Sequence, residues 1–381
     1  MQFALNEDQI AVREMARDFA AEKIAPHAIR WDEEKHFPVE VMREAARLGI
    51  GGIYIRDDVG GSALSRFDAA LIFEALAQGC PTVSAFISIH NMASWMIDAF
   101  GSDTQRRKWL PKLCTMELLA SYCLTEPGSG SDAAALRTRA VRDGDHYVLN
   151  GQKQFISGAG GSDLYVVMVR TGGDGPGGIS TLVIDGDTPG LSFGANERKM
   201  GWNAQPTRAV IFENARVPVA NRLGEEGIGF KIAMAGLDGG RINIAACSLG
   251  GAQCALEKSL AYMKERKAFG KPINRFQEIS FKLADMMIMT DISRMLIFKA
   301  AWAKEMKDPE SAVLASCAKL FASESATQIA SMAIQVFGGY GYIKEFPVER
   351  LYRDAKLGEI GEGTSEIQRV LIAKSILNKI H

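Results

Sequence analysis

The residues best suited to chemistry fall in a few short stretches. Tyr122-Cys123-Leu124-Thr125-Glu126-Pro127-Gly128-Ser129-Gly130-Ser131-Asp132 gathers small residues and hydroxyls. Such a loop can come close to a planar ring or a phosphate, although the same residues also suit an ordinary surface turn. Arg241 follows Gly239-Gly240, where missing side chains permit close approach and a guanidinium can grip an anionic arm. Arg266, in Arg266-Lys267-Ala268-Phe269-Gly270-Lys271, reads either as a phosphate partner or as a solvated helix-end cation. Glu362 stands just before Ser365-x-x-Gln368, a capping-box pattern, so its carboxylate belongs in the loop entering the last helix. A carboxylate serves as a general base once its pKa nears the working pH. A helix dipole alone lowers that pKa, so a plain solvated acid is the competing reading.

Other chemistries lack their residues. Gly128-Ser129-Gly130-Ser131-Asp132-Ala133 and Gly173-Asp174-Gly175-Pro176-Gly177-Gly178 both imitate a dinucleotide fingerprint. That fingerprint needs a strand before it and a helix after it, and β-type sequence soon follows both. No G-x-x-x-x-G-K-[ST] loop occurs. The six cysteines form no C-x-x-C pair, and they read as reduced, mostly buried thiols. His27, His36, His90, His146 and His381 show no metal-ligand spacing. With 44 Lys+Arg against 45 Asp+Glu, the net charge of −1 argues against bulk binding of nucleic acid.

The elements that must position these residues divide the chain in three. Residues 1–120 hold 7 glycines, 121–240 hold 22 and 241–381 hold 9. Only the middle third has the turn density of β structure. Its runs Tyr147–Leu149, Leu164–Val169, Thr181–Ile184 and Ala209–Phe212 read as antiparallel strands. Asp8–Ala20, with Asn6 as N-cap, Val39–Leu48 and Phe67–Ala77 read as helices, and Ala75–Ile97 as buried globular sequence, not a bilayer span. Arg241–Lys267, Gln277–Met306, Ser311–Phe337 and Ser365–Ile380 read as four long helices, enough for a bundle. The expected fold is α+β and multidomain. An N-terminal helical domain (1–119) precedes a middle antiparallel β-barrel-like domain (120–232) and a C-terminal four-helix bundle (233–381).

Six ordered motifs resemble the acyl-CoA dehydrogenase family, and the resemblance covers essentially the whole chain. Tyr122–Asp132 resembles its flavin-binding signature and Lys153–Ser157 its second flavin segment. Leu237–Arg241 resembles its acyl-CoA-binding turn. Arg266–Lys271 and Gln335–Gly341 resemble segments that hold FAD across a subunit interface. Glu362–Gln368 resembles the segment with the catalytic base. The runs Ile87–Met92, Gly201–Arg208 and Gly240–Ala245 resemble members acting on short branched acyl chains.

The resemblance implies FAD-dependent α,β-dehydrogenation of a thioester: a base takes the α-proton while hydride leaves the β-carbon for the flavin. Glu362 is the implied base, its pKa raised when substrate excludes water. The implied cofactor residues are Tyr122, Leu124, Thr125, Gly130, Ser131, Phe155, Ile156, Ser157, Arg266, Phe276, Gln277, Gln335, Val336, Gly338, Gly339, Thr364 and Glu366. Ser131, Asp238, Arg241, Gly363 and Lys374 are implied for the acyl-CoA. Phe155 stands where the family usually has Trp, and Gly361 where many members have Tyr before the base.

The implied substrate is isobutyryl-CoA, giving methacrylyl-CoA as in valine catabolism. Short-chain and 2-methylbutyryl-CoA are the alternatives. The implied acceptor is an electron-transferring flavoprotein, and the implied assembly a homotetramer built as a dimer of dimers, with neither nucleic acid nor membrane as partner. An oxidase passing electrons to O2 would make peroxide, and a flavin-containing nucleic-acid-associated homologue would need a basic patch. The opening Met1–Gln9 carries no basic start and no apolar core. It fits a bacterial cytoplasm better than a processed mitochondrial-matrix chain.

Overall fold

A computed structural model describes residues 4–378; Met1, Gln2, Phe3, the expected helix end at Ile380 and His381 lie outside the described residues. Six helices come first: α1 (Glu7–Phe19), α2 (Ala28–Glu34), α3 (Val39–Ala46), α4 (Arg66–Gly79), α5 (Pro81–Phe100) and α6 (Asp103–Cys114). Asn6 caps α1 as expected, accepting from the Gln9 N–H at 2.8 Å while the Gln9 side chain accepts from the Asn6 N–H at 3.0 Å. Ser65 with Asp68, and Ser102 with Gln105, start α4 and α6 in the same reciprocal way. Helix α5 opens on Pro81, whose missing N–H costs nothing in a first turn, and is buried along nearly its whole length.

The middle segment supplies β1 (Ala120–Cys123), β2 (Arg139–Asp143), β3 (His146–Ser157), β4 (Leu164–Arg170), β5 (Ile179–Asp185), β6 (Leu191–Phe193), β7 (Thr207–Pro218) and β8 (Arg222–Leu223). They form one sheet in the order β6-β7-β3-β2-β4-β5-β8, with β1 paired to β4. Most pairs are antiparallel, as expected, but β1 and β2 each run parallel to β4. The β2–β3 hairpin intervenes before β4 and returns the chain to the side it left, so β4 re-enters in the direction of β1. Both decoy loops resolve as turns: Ala133–Ala135 is a short 3-10 turn leading to β2, and Pro176–Gly178 another leading to β5.

Beyond the sheet come α7 (Gly229–Glu265), a small hairpin of β9 (Lys267–Ala268) and β10 (Lys271–Pro272), then α8 (Gln277–Glu305), α9 (Ser311–Phe337), α10 (Val348–Gly358) and α11 (Ser365–Leu377). Two expectations need correction. Helix α7 begins 12 residues before Arg241, so Leu237–Arg241 is helix interior, not a turn. Two interior glycines cost about 1 kcal/mol each in propensity, but neighbouring groups packed on their Cα atoms override this. The four long helices are joined by a fifth, α10, whose many charges hid a narrow apolar stripe that buries Val348 and Leu351.

One core joins α1–α6 to α7, α8 and α9 through residues such as Phe73, Phe86, Met96, Ile242 and Leu249. A second fills the sheet with Tyr147, Tyr165, Val167, Leu182 and Phe212. Helix α10 clasps the parts together. Asp354 accepts from the Trp202 N–H at 2.7 Å, Arg353 reaches Asp32 at 2.7 Å, and the buried Arg350 points at Cys80 and Asp354. No helix among the described residues is long and apolar enough to cross a membrane.

Candidate active site

Glu362 sits in the turn between α10 and α11, with a left-handed backbone (φ 54°), and Gly363 follows at φ 93°. A left-handed glutamate costs roughly 1–2 kcal/mol, so the surroundings must hold it. Gln368 donates to the carbonyls of Glu362 (3.3 Å) and Gly363 (2.9 Å), and Lys319 of α9 donates to the Gly363 carbonyl at 2.7 Å. The expected Ser365–Gln368 capping box does not form. Thr364 is the N-cap, accepting from the Ile367 N–H at 3.3 Å, because Gln368 is spent on the turn.

Both carboxylate oxygens of Glu362 are buried and have no hydrogen-bond partner, although the residue as a whole is partly exposed. Desolvation raises its pKa to about 7, opposed by the nearby positive charges of Lys319 and Arg241. The protein's own burial therefore already raises the pKa, before any substrate excludes water. The carboxylate lies against the bare Cα of Gly240: a Cβ there would sit 2.3 Å from Oε2 and 2.9 Å from the Met92 sulfur. Arg241, one residue on, is buried and paired with Asp238 at 2.9 Å, while its Nε has no partner. Tyr122 of β1 brings a buried, unpartnered hydroxyl to the same neighbourhood; burial first, then the Glu362 charge, pushes its pKa up.

The Tyr122–Asp132 stretch is anchored beneath its loop by a buried ion pair. Lys153 of β3 meets Glu126 at 2.7 Å and the Leu124 carbonyl at 3.1 Å, and Glu126 also accepts from the N–H groups of Arg137 (2.6 Å) and Thr138 (2.9 Å). Above it, Gly130 and Ser131 are exposed, and Thr125 is half-buried. The second segment bulges between Lys153 and Ile156. The bulge puts Phe155 at φ 57° and leaves its ring 63% exposed, while Ile156 is buried. Ser157 accepts from Gln205 at 3.3 Å, and its carbonyl accepts from Ser121 at 2.6 Å.

The C-terminal candidates gather elsewhere. Arg266, Phe276, Val336, Gly338 and Gly339 line one open cleft of about 610 Å³, along with Tyr262, Phe269 and Tyr340. Gly338 ends α9 at φ 61°, and the Arg266 guanidinium lies 5.3 Å from the Tyr340 ring centre. Gln277 and Gln335 flank this cleft on the exposed side of their helices. Glu366 is an exposed first-turn acid of α11, held below the usual carboxylate range by its own backbone N–H and by Thr364. Lys374 is exposed in the last turn of α11, about 15 Å along the helix from Thr364. The structure does not bring it to the Glu362 group.

Lys319 escaped the sequence reading, and Gln368, Gly240, Glu126, Lys153 and Gln205 entered it only as members of motifs, without the contacts described here. For Lys319 a signal existed. Ala315, Ala318, Ala322 and Ala326 form the buried stripe of α9, and Lys319 lies on it. His90 is a satisfied core histidine; its ring bonds the Leu113 carbonyl (2.9 Å) and the Ala120 N–H (3.0 Å), and burial drops its pKa to about 4.

A buried, partnerless carboxylate at a pKa near neutrality is suited to exchange a proton. Family models agree with the fold that carries it. Those for the N-terminal, middle and C-terminal domains of acyl-CoA dehydrogenase match residues 6–117, 121–215 and 227–377, so the chain belongs to the acyl-CoA dehydrogenase family. It is 54% identical over 375 residues to the mitochondrial isobutyryl-CoA dehydrogenase of Bos taurus, covering 98% of this chain and 90% of the bovine one. It is also 54% identical to the Dictyostelium discoideum isobutyryl-CoA dehydrogenase, over 99% of this chain and 91% of that one. The butyryl-CoA dehydrogenase structure from Megasphaera elsdenii superposes with a TM-score of 0.96 at 39% identity, covering 99% of this chain and 100% of that one.

Proposed function

We propose that this enzyme dehydrogenates isobutyryl-CoA to methacrylyl-CoA, with Glu362 as the base that removes the α-proton. The observation that carries the reading is the Glu362 carboxylate itself: buried, without a hydrogen-bond partner, and at a pKa of about 7. The α C–H electron pair becomes part of the new C=C bond, the proton goes to Glu362, and the β-carbon loses hydride. FAD, when bound, supplies the acceptor for that hydride. The choice of a short branched acyl chain follows the 54% identity to two isobutyryl-CoA dehydrogenases.

The chain's residues fit a flavin dinucleotide. Phe155 offers an exposed aromatic face on a bulge. Thr125, Ser131 and Ser157 offer hydroxyls. The cleft of Arg266 offers a guanidinium for a diphosphate, and Gly338 and Gly339 would meet nothing within 4 Å if given side chains, so a ligand can approach closely. Arg241 and Asp238 serve the CoA ester, Arg241 having a buried unpartnered Nε.

Electrons then pass to an electron-transferring flavoprotein, and the working form is a homotetramer. Helix α8 supports the assembly: Phe281, Ile288, Ile292, Met295 and Trp302, with Met306 at its C-cap, are all more than 40% exposed and recur at helical spacing along one face. That is the pattern of a surface covered by another copy.

The test is anaerobic titration of the FAD-loaded protein with isobutyryl-CoA, n-butyryl-CoA and 2-methylbutyryl-CoA, following flavin absorbance. Isobutyryl-CoA should bleach the flavin fastest, and Glu362→Gln should bind FAD yet fail to be reduced. Faster bleaching by another ester refutes the substrate, and rapid reduction of Glu362→Gln refutes the base. Steady peroxide formation in air would instead favour an oxidase.

A further inference from the structure

We propose that Lys319 is a positioning residue for the base: its ammonium, reaching from α9, grips the Gly363 carbonyl and so holds the left-handed turn that aims the Glu362 carboxylate. The inference rests on the reading of Glu362 as the base and deepens it.

Lys319 is 0% exposed, and its hydrogen bond to the Gly363 carbonyl is 2.7 Å long. Among the described residues no carboxylate lies within ion-pair distance of it. Burying an ammonium with no carboxylate at ion-pair distance costs several kcal/mol, and its neighbours on the same face of α9 are buried alanines. What the amine does instead is visible in its target. The turn at Glu362 and Gly363 is left-handed at both residues, and its two carbonyls receive three hydrogen bonds, two from Gln368 Nε2 and one from Lys319 Nζ. Gln368 is itself 0% exposed. The side chain being aimed has no partner of its own, so the backbone is where it can be steered.

The charge has a second effect. The titratable groups that face Glu362 are Arg241 and Cys247 from α7, Lys319 from α9, Tyr54 from the segment after α3 and Tyr122 from β1; Lys319 is also within electrostatic reach of Glu324 on α9, Glu359 at the end of α10 and Glu366 on α11. Only Arg241 and Lys319 are cations, and both counter the desolvation of the base, Lys319 more than the Asp238-paired Arg241, keeping an ionised fraction at neutral pH.

Two variants of the FAD-loaded enzyme separate aim from charge. Lys319→Gln keeps a donor for Gly363 but loses the charge; Lys319→Met loses both. Flavin reduction in single turnover across pH gives the limiting rate and the midpoint of the acid limb. The carboxyl stretch of Glu362, assigned by its loss in Glu362→Gln, gives the same titration by infrared spectroscopy without turnover. Lys319→Gln should raise both midpoints by about one unit and slow the limiting rate about threefold. Lys319→Met should raise them equally and slow the limiting rate at least about tenfold. Variants that bind FAD but keep the wild-type midpoint and rate overturn the proposal. If Lys319→Met does not fold, Lys319→Ala, which also removes the donor, takes its place, and a limiting rate no slower than that of Lys319→Gln overturns the proposal. An inert Glu362→Gln beside unshifted Lys319 variants sinks only this inference, whereas an active Glu362→Gln sinks the base itself.

Discussion

Gly240→Ala should leave the fold nearly untouched and cripple the reaction. The added Cβ would sit 2.3 Å from Glu362 Oε2 and 2.9 Å from the Met92 sulfur. Both are ends of flexible side chains, so both can yield, and the carboxylate must retreat by about 1 Å to regain ordinary contact. Alanine gains about 1 kcal/mol over glycine inside a helix, which offsets much of the roughly 1–3 kcal/mol typical of overpacking. Stability should therefore stay within about 1–2 kcal/mol of wild type. A base misplaced by about 1 Å costs on the order of 100-fold in rate, or about 2.7 kcal/mol of barrier. Anaerobic stopped-flow reduction of the bound flavin at saturating acyl-CoA measures the rate, and a thermal melt measures the fold. Gly239→Ala is the control, since its Cβ meets Arg66 at 2.8 Å and not the base. Wild-type reduction by Gly240→Ala at an unchanged melting temperature would refute the steric account of how Glu362 is held.

Three further outcomes follow from the same geometry. Glu362 has its pKa raised by burial from 4.5 to about 7, so the native state binds its proton more tightly than the unfolded chain does. The associated stability is complete below pH 4.5 and is lost as pH rises through 7. Glu362→Gln should therefore gain stability over wild type between pH 5 and pH 9, by up to about 3 kcal/mol in chemical denaturation; an equal difference at both pH values would refute the burial argument. Lys153→Met strands the Glu126 carboxylate in the interior and should cost about 3–5 kcal/mol, with looser FAD retention read by fluorescence of released flavin; a loss under about 1 kcal/mol would show the pair to be hydrated. Arg241→Ala should raise the KM for acyl-CoA with flavin still bound, and should lift the acid limb of the pH–rate profile because a cation beside Glu362 is gone; an unchanged KM would count against the contact.

Much of this was readable from residue order, and what was not has physical causes. Glycine density marked the β-rich middle because turns need it, helical spacing of apolar residues marked α1, α3 and α4, and long Ala/Leu/Met-rich runs with few breakers marked α8 and α9. The parallel placement of β1 and β2 beside β4 was hidden because a strand's sequence does not encode its neighbour's direction. Helix α10 was hidden because ion-pairing residues such as Arg350, Arg353 and Asp354 read as surface until their partners are known. The family resemblance suggested a turn at Gly239-Gly240; the pair is helical, and the room its glycines promised serves Arg66 on one side and Glu362 on the other. Glu362 was legible by motif. Its burial, and the Lys319 and Gln368 donors behind it, arise from contacts far apart in sequence or spent on backbone carbonyls, which no spacing rule reveals.

The clasp made by α10 bears on how this enzyme comes into being. Its bonds to Asp32 and Trp202 span 321 and 152 residues of chain, so they close among the largest loops in the molecule. Such contacts form late, since loop-closure entropy is paid before they repay it. Helix α10 leads within four residues from Gly358 into Glu362. During refolding, helical signal should therefore return well before the ability to deprotonate a substrate, and a chain whose sheet has folded but not docked would be compact, helical and inert.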